Sequence, residues 1–311
     1  MTGGIRHESG DSGKRDSECG AVASGPCTAV ILDDGRVFLN DCGPGTVRAC
    51  TKVFYAGCSE LKPQNLTHVL LTHLHSDHTA GLADVILTPW VLERTRPLHV
   101  YGPEGTDEMC RDLLHAYRAD IGFRTDGPEP IGPDSLQVIA HAVQEGVIYE
   151  QNGLCIRAVS VSHGTMESYA YLYESKEGKV LISGDTCPLD KVIEAAYGAD
   201  ILVHEAEYAG GLKERTEAWQ AYHRAVHTLS YDLGSIMDKA KPALTITTHR
   251  ILHLNYYGEE PVSADEVKRR EELLLEEIRS VTDQPVVNGH DGDIFQIEKS
   301  SDRDPVIYLM P

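Results

Sequence analysis

The residues best suited to chemistry lie together in Thr72-His73-Leu74-His75-Ser76-Asp77-His78-Thr79-Ala80-Gly81. His73, His75, Asp77 and His78 place four nitrogen and oxygen donors within six positions. In extended or looped backbone, residues two apart point the same way. His73 and His75 then face one ion, while Asp77 and His78, past the turn, face a second. Imidazole and carboxylate together suit zinc, with manganese or iron as alternatives. One cluster cannot complete two coordination shells. The missing ligands are expected as isolated His or Asp residues at other strand ends. His163 in SVSHGT, Asp185 in LISGDT and His249 in TITTHR fit that description.

Strands must deliver these side chains. The β-branched run THVLLT at 67–72 stops where the histidines start. Similar runs occur at 179–183 before Gly184-Asp185, at 201–203 before His204-Glu205, and at 243–248 before His249. Four strands are therefore predicted, each delivering polar, metal-competent residues at its C-terminal end. Upstream, residues 28–32 and 36–39 flank Asp33-Asp34-Gly35 and predict a hairpin, because Asp-Gly supplies the positive φ that such turns need. The hairpin runs into the glycine- and proline-rich loop Asp41-Cys42-Gly43-Pro44-Gly45-Thr46. Helices are predicted over 104–117, over 228–239 with Thr228 or Ser230 as N-cap, and over 263–280. The last opens with a capping-box pattern, Ser263 and Glu266, and carries Val267, Leu274, Leu275 and Ile278 on one side. Strands and helices in alternation around one core define an α/β class.

Taken in order, H-x-H-x-D-H, then His163, Gly184-Asp185-Thr186 and Thr248-His249 resemble the metallo-β-lactamase superfamily, over about residues 25–297. The ribonuclease Z-like branch is the most similar. The hairpin with DCGPGT resembles its glycine-rich loop, His204-Glu205-Ala206 its His-Glu-Ala segment, and His227-Thr228 its catalytic histidine segment. The resemblance implies a four-layer αββα sandwich. It places His73, His75 and His163 on one zinc ion, and Asp77, His78 and His249 on another, with Asp185 bridging them. Two such ions share a water, lower its pKa toward neutrality and hold the attacked oxygen as Lewis acids. Asp77 would accept the water's proton. Glu205 would orient His227, which acts as proton donor or charge stabiliser near the leaving group. Asp41 is expected either to fix a ligand imidazole by a hydrogen bond or to cap its loop.

Charge bears on the substrate. Lys and Arg number 28 against 48 Asp and Glu, a net charge of −20, and no basic run occurs. Proteins that grip nucleic acid gain affinity by neutralising phosphates, so a long nucleic acid is disfavoured. The ribonuclease Z of bacteria inserts a tRNA-gripping arm between its third histidine and its bridging aspartate. Here His163 and Asp185 are 22 positions apart, filled by the hairpin SYAYLYESKEGKVLIS. The expected substrate is a small ester-like molecule, first a phosphodiester. Carboxylic ester, thioester, lactone or β-lactam hydrolysis is the alternative, followed by tRNA 3′ processing and by a non-catalytic scaffold. Segment 82–162 has room for a substrate-covering element.

Other residues receive plainer readings. No run of about 18 apolar residues suggests a membrane span. The polar first 20 residues lack the apolar stretch of a secretory signal, so a disordered tail at 1–20, one hydrolase domain at 21–311 and a cytoplasmic location are expected. Residues 16–20 are polar where the family has an apolar strand, which predicts an irregular first strand. The eight cysteines form no C-x-x-C pair and are expected reduced, Cys187 being close to a ligand. His99, His115, His141 and His290 match no motif and read as structural or surface residues, and His204 as a neighbour of the ligands. His223 precedes His227 by four and would share its helix face. Tyr169, Tyr171 and Tyr173 alternate as in a strand, while His253, Tyr256 and Tyr257 are candidates for a pocket wall. A homodimer is compatible with the resemblance.

Overall fold

Two compact units divide the chain, Ser24–Val143 and Gln144–Pro311, the latter taking in Met1–Ala23 with its short strand β1 (Ile5–Glu8). The computed structural model describes residues 5–8, 25–127, 129, 132, 136–254, 262–300 and 303–310. The readings made for residues 16–20, Cys19, Tyr256 and Tyr257 lie outside the described residues.

The first unit is built on a five-stranded sheet in the order β2 (Thr28–Ile31), β3 (Val37–Asn40), β4 (His68–Leu70), β5 (Leu98–Gly102) and β6 (Val138–Ala142). β2 and β3 are antiparallel, and the rest are parallel. The expected hairpin forms. Gly35 takes φ +84°, and its amide donates to the Leu32 carbonyl at 2.9 Å. The DCGPGT loop then passes into α1 (Thr46–Tyr55), a helix the sequence reading did not single out. The candidate ligands Asp77 and His78 sit in the one-turn helix α2 (Ser76–Thr79), followed by α3 (Leu82–Val91). Pro89 inside α3 offers no amide to the Val85 carbonyl. The buried Arg94 guanidinium donates to that carbonyl at 2.9 Å and to the Ile86 carbonyl at 3.0 Å, so the helix continues. The predicted helix at 104–117 is α4 (Thr106–Ala116), and α5 (Arg118–Asp126) follows. His68, His99 and His141 stand side by side across β4, β5 and β6, with a 3.0 Å contact between His99 Nδ1 and His141 Nε2.

The second unit carries a seven-stranded sheet. Its members in chain order are β7 (Gly146–Gln151), β8 (Leu154–His163), β9 (Met166–Ser175), β10 (Lys179–Ile182), β11 (Ile201–Glu207), β12 (Leu244–Ile251) and β13 (Val286–Asn288). They lie side by side in that order, antiparallel from β7 to β10 and parallel from β10 to β13. Parallel neighbours need crossovers. α6 (Asp190–Ala196) joins β10 to β11. α7 (Ala209–Leu212), α8 (Glu217–Val226) and α9 (Ser230–Ala240) join β11 to β12, and α10 (Ala264–Arg279) joins β12 to β13. β14 (Gly292–Ser300) pairs with β1 and β15 (Arg303–Met310) in a separate antiparallel sheet.

Apolar residues of α6, α9 and the sheet, among them Val192, Ala196, Ile236, Leu181 and Leu202, form one core cluster. Leu233 and Met237 of α9 with Val267, Leu274 and Ile278 of α10 form another, and Leu275 packs at its edge. Ser263 caps α10 as expected, accepting from the Glu266 amide at 3.2 Å. The expected cap of α9 does not form: the N-cap position is Leu229, with no side-chain bond. Thr228 Oγ1 instead donates to the Thr186 carbonyl at 2.6 Å, and the Ser230 hydroxyl is bound to the Glu277 carboxylate. Tyr169, Tyr171 and Tyr173 are buried strand residues of β9. The seven described cysteines are free thiols. Among the described residues, no helix is long and apolar enough to cross a membrane.

Candidate functional site

In the first unit, β4 ends at Leu70, two residues sooner than THVLLT suggested. The chain leaves the ladder there because Asp41 captures it. Asp41 adopts φ +62°, and its Oδ1 accepts from the Thr72 amide at 2.7 Å. Its Oδ2 accepts from Thr72 Oγ1 at 2.9 Å and lies 2.8 Å from His78 Nδ1. One carboxylate therefore secures both the loop and the His78 imidazole. The single Thr72 hydroxyl proton points at Asp41, so the oxygen accepts from His73 Nδ1, 3.0 Å away. Hydrogen bonding thus places the ring protons of His73 and His78 on Nδ1 and leaves each Nε2 with its lone pair. His75 Nδ1 lies 3.0 Å from His73 Nε2, and Asp77 Oδ2 lies 3.5 Å from His78 Nε2. Gly43 and Gly81 allow this loop to close, since a Cβ on Gly81 would collide with the Gly43 carbonyl oxygen.

In the second unit, His163 ends β8, and its Nδ1 donates to the Val226 carbonyl at 2.8 Å, which leaves the lone pair on Nε2. That nitrogen is 3.9 Å from Asp185 Oδ2, and His249 Nε2 is 3.4 Å from the same oxygen. Asp185 follows β10, as parallel strands commonly present ligands beyond their carboxyl ends. His249 and Glu205 differ from expectation in lying within β12 and β11 instead of past them. A register shift between Glu205 and Ala206 and a φ of +41° at His249 break the regular pleat at that point. Metal-competent side-chain atoms of His163, Asp185 and His227 all lie within 4.8 Å of one another.

His227, at the C-cap of α8, sets Nδ1 2.9 Å from Glu205 Oε2. The other Glu205 oxygen accepts from the Thr186 amide at 2.6 Å. Burial first, then the neighbouring Asp185 charge, push the Glu205 carboxyl well above the usual carboxylate range. His204 is fully buried, its Nδ1 on the Glu205 carbonyl at 2.7 Å, and burial lowers its pKa to about 4.

Sequence reasoning missed one constellation. Glu205 and Glu207 share a face of β11, being two apart, and His223 and His227 share a face of α8, being four apart. Two strand residues advance about 6.6 Å and four helical residues about 6.0 Å, so the carboxylates and imidazoles stay in register. Glu207 Oε1 lies 3.2 Å from His223 Nδ1 and 2.6 Å from His253 Nε2. Burial alone would raise the Glu207 carboxyl, but the two imidazoles outweigh it and hold its pKa at about 2. The E-x-E and H-x-x-x-H spacings were the available signal.

Residues 36–250 match the β-lactamase superfamily domain, and the chain belongs to that superfamily. It is similar to ribonuclease Z of Mycobacterium sp. (strain KMS), 35% identical over 190 residues that cover 60% of this chain and 64% of the relative. The chain therefore spans a little under two thirds of the length of that curated relative. The metallo-β-lactamase fold protein YhfI from Bacillus subtilis superposes with a TM-score of 0.62 at 18% identity, covering 93% of this chain and 96% of that one. Human tRNase Z, short form, superposes with a TM-score of 0.61 at 16% identity, covering 96% and 98%. These likenesses establish the metallo-β-lactamase fold, the α/β class that the motif order implied.

Proposed function

We propose that this protein is a divalent-metal-dependent hydrolase of small phosphodiesters. His73, His75 and His163 would hold one cation, and Asp77, His78 and His249 a second, with Asp185 shared between them. The donor set fits such ions: His73, His78 and His163 each have Nδ1 committed to a hydrogen bond, so Nε2 offers a lone pair. Zinc suits this set, with Mn2+ or Fe2+ as substitutes. When bound, two such cations supply Lewis acidity and a nucleophile at neutral pH.

The observation that carries the phosphodiester reading is the Glu205–His227 pair at 2.9 Å. With Nδ1 pinned to Glu205, Nε2 is the ring atom left to take up a proton. That proton is then available to the departing alkoxide, a need that alkoxide-releasing phosphodiesters have. The Thr186 amide at 2.6 Å fixes the carboxylate, and hence the ring.

The net charge of −20 and the short interval from His163 to Asp185 favour a small substrate over a long RNA. RNA 3′-end cleavage is the second reading, favoured by relatives named ribonuclease Z. Turnover of bis-p-nitrophenyl phosphate, a 3′-extended tRNA and a lactone and cephalosporin panel separates the readings. Cleavage of the lactone or cephalosporin alone overturns both phosphodiester readings. Asp185→Ala is expected to abolish turnover and lower metal content. His227→Ala should retain metal yet lose about 10²–10⁴-fold in kcat, most for poor leaving groups. Unchanged turnover by that variant removes the proton-donor role.

A further inference from the structure

Glu207, His223 and His253 belong to none of the ligand sets above, yet they make a second cluster of metal-competent groups inside the second unit. Glu207 is fully buried in β11. Its Oε1 faces His253 Nε2 at 2.6 Å and His223 Nδ1 at 3.2 Å. Its Oε2, also buried, has no hydrogen-bond partner among the described residues. A buried carboxylate oxygen without a donor is costly, by several kcal/mol in an apolar setting. The three candidate ligand atoms lie within 4.8 Å of one another.

We propose that Glu207, His223 and His253 form an additional binding site for a first-row divalent cation, separate from the candidate hydrolytic centre. Two imidazoles and a carboxylate are a donor set that holds zinc with one position left for water. Ligand atoms about 2.0–2.1 Å from a tetrahedral ion stand about 3.3 Å apart, and the His223–Glu207 pair already shows 3.2 Å. The shorter His253–Glu207 contact is a hydrogen bond. Moving its proton from Nε2 to Nδ1 of the same ring exposes the lone pair without changing the charge. Both histidines are held in place. His223 is in α8, and its ring packs 5.1 Å from that of His253. The buried Arg270 of α10 donates to the Leu252 and His253 carbonyls at 3.1 Å and 2.7 Å, fixing the backbone of His253 at φ +53°. A cation here would tie α8, and with it His227, to β11 and to the segment after β12.

The test counts metal on the full chain. Demetallated protein is loaded with excess Co2+, desalted and measured by mass spectrometry. The wild type is expected to retain one equivalent more than Glu207→Gln, and Co2+ is expected to raise the melting temperature of the wild type more than that of the variant. Should Glu207→Gln fail to fold, His223→Gln carries the same measurement and must lose the same equivalent. Equal counts in wild type and variant overturn the proposal and leave a hydrogen-bonded clamp. The double variant His75→Ala/Asp185→Asn keeps the two readings apart, since it should lose the cations of the hydrolytic centre and retain this one. Retention of none by the double variant overturns the additional site. An unchanged count there, with one equivalent lost by Glu207→Gln, overturns the two-cation reading and leaves this site standing.

Discussion

Single hydrogen bonds decide which nitrogen of each histidine is available. Thr72 Oγ1, Asp41 Oδ2 and the Val226 carbonyl each take an Nδ1 proton, and none of these acceptors is among the candidate ligands. Asp41→Ala should weaken metal retention about 10–100-fold against a competing chelator, and retention equal to wild type would remove its positioning role. His290 offers a test at the same scale, at a residue outside the candidate ligand set. The carboxylates of Asp293, then Glu271, 3.6 Å and 3.8 Å from the ring nitrogens, raise its pKa from 6.5 to about 9. A raised imidazole stabilises the fold while it is charged, so its contribution is complete below pH 6.5 and lost as pH rises through about 9. The melting-temperature difference between wild type and His290→Asn should therefore be present at pH 6 and absent at pH 10. The chemistry of His73, His75, Asp77 and His78 was legible because the four crowd into one motif. Asp41 was half legible, since its two duties need residues 31 and 37 positions away. Glu207 left only the E-x-E spacing as a trace, because its partners come from a helix and from a loop beyond the next strand.

At the level of elements, local signals worked where they were self-contained. The Asp-Gly turn produced β2 and β3, and the Ser263 cap produced α10 with its boundary within one residue of the reading. Ser263→Ala should destabilise by about 1 kcal/mol, read as a shift in the urea midpoint at constant slope. No change would mean that tertiary packing of Val267, Leu274 and Ile278 alone fixes where the helix starts. Signals failed where a partner elsewhere overrides them. Thr228 and Ser230 look like caps, yet Thr186 and Glu277 engage their hydroxyls. Pro89 looks like a helix breaker, yet Arg94, five residues on, replaces its missing amide. β11 shows the same limit. Its apolar start was plain, but its polar end, His204 to Glu207, continues the ladder because each buried polar side chain has a specific acceptor or imidazole waiting for it.

Over the whole molecule, each unit holds its own share of the candidate ligands: His73, His75, Asp77 and His78 in one, His163, Asp185 and His249 in the other. The ordered motif pattern carried the family assignment across both shares, which composition could not have done. Three of the non-glycine residues with left-handed backbone are Asp41, His249 and His253, at φ +62°, +41° and +53°. Ordinary side chains are disfavoured there by about 1–2 kcal/mol. Alanine normally outranks glycine as a replacement in ordered structure, because glycine has more freedom to lose. At these positions the ranking should invert: metal-free His249→Gly is expected to melt above metal-free His249→Ala, with Asp41 and His253 following suit. If alanine wins at His249, the unusual handedness is no burden on the chain. If glycine wins, selection has kept a side chain where stability alone would have discarded one, and a scan of paired alanine and glycine variants becomes a way to map functional positions without assaying any substrate.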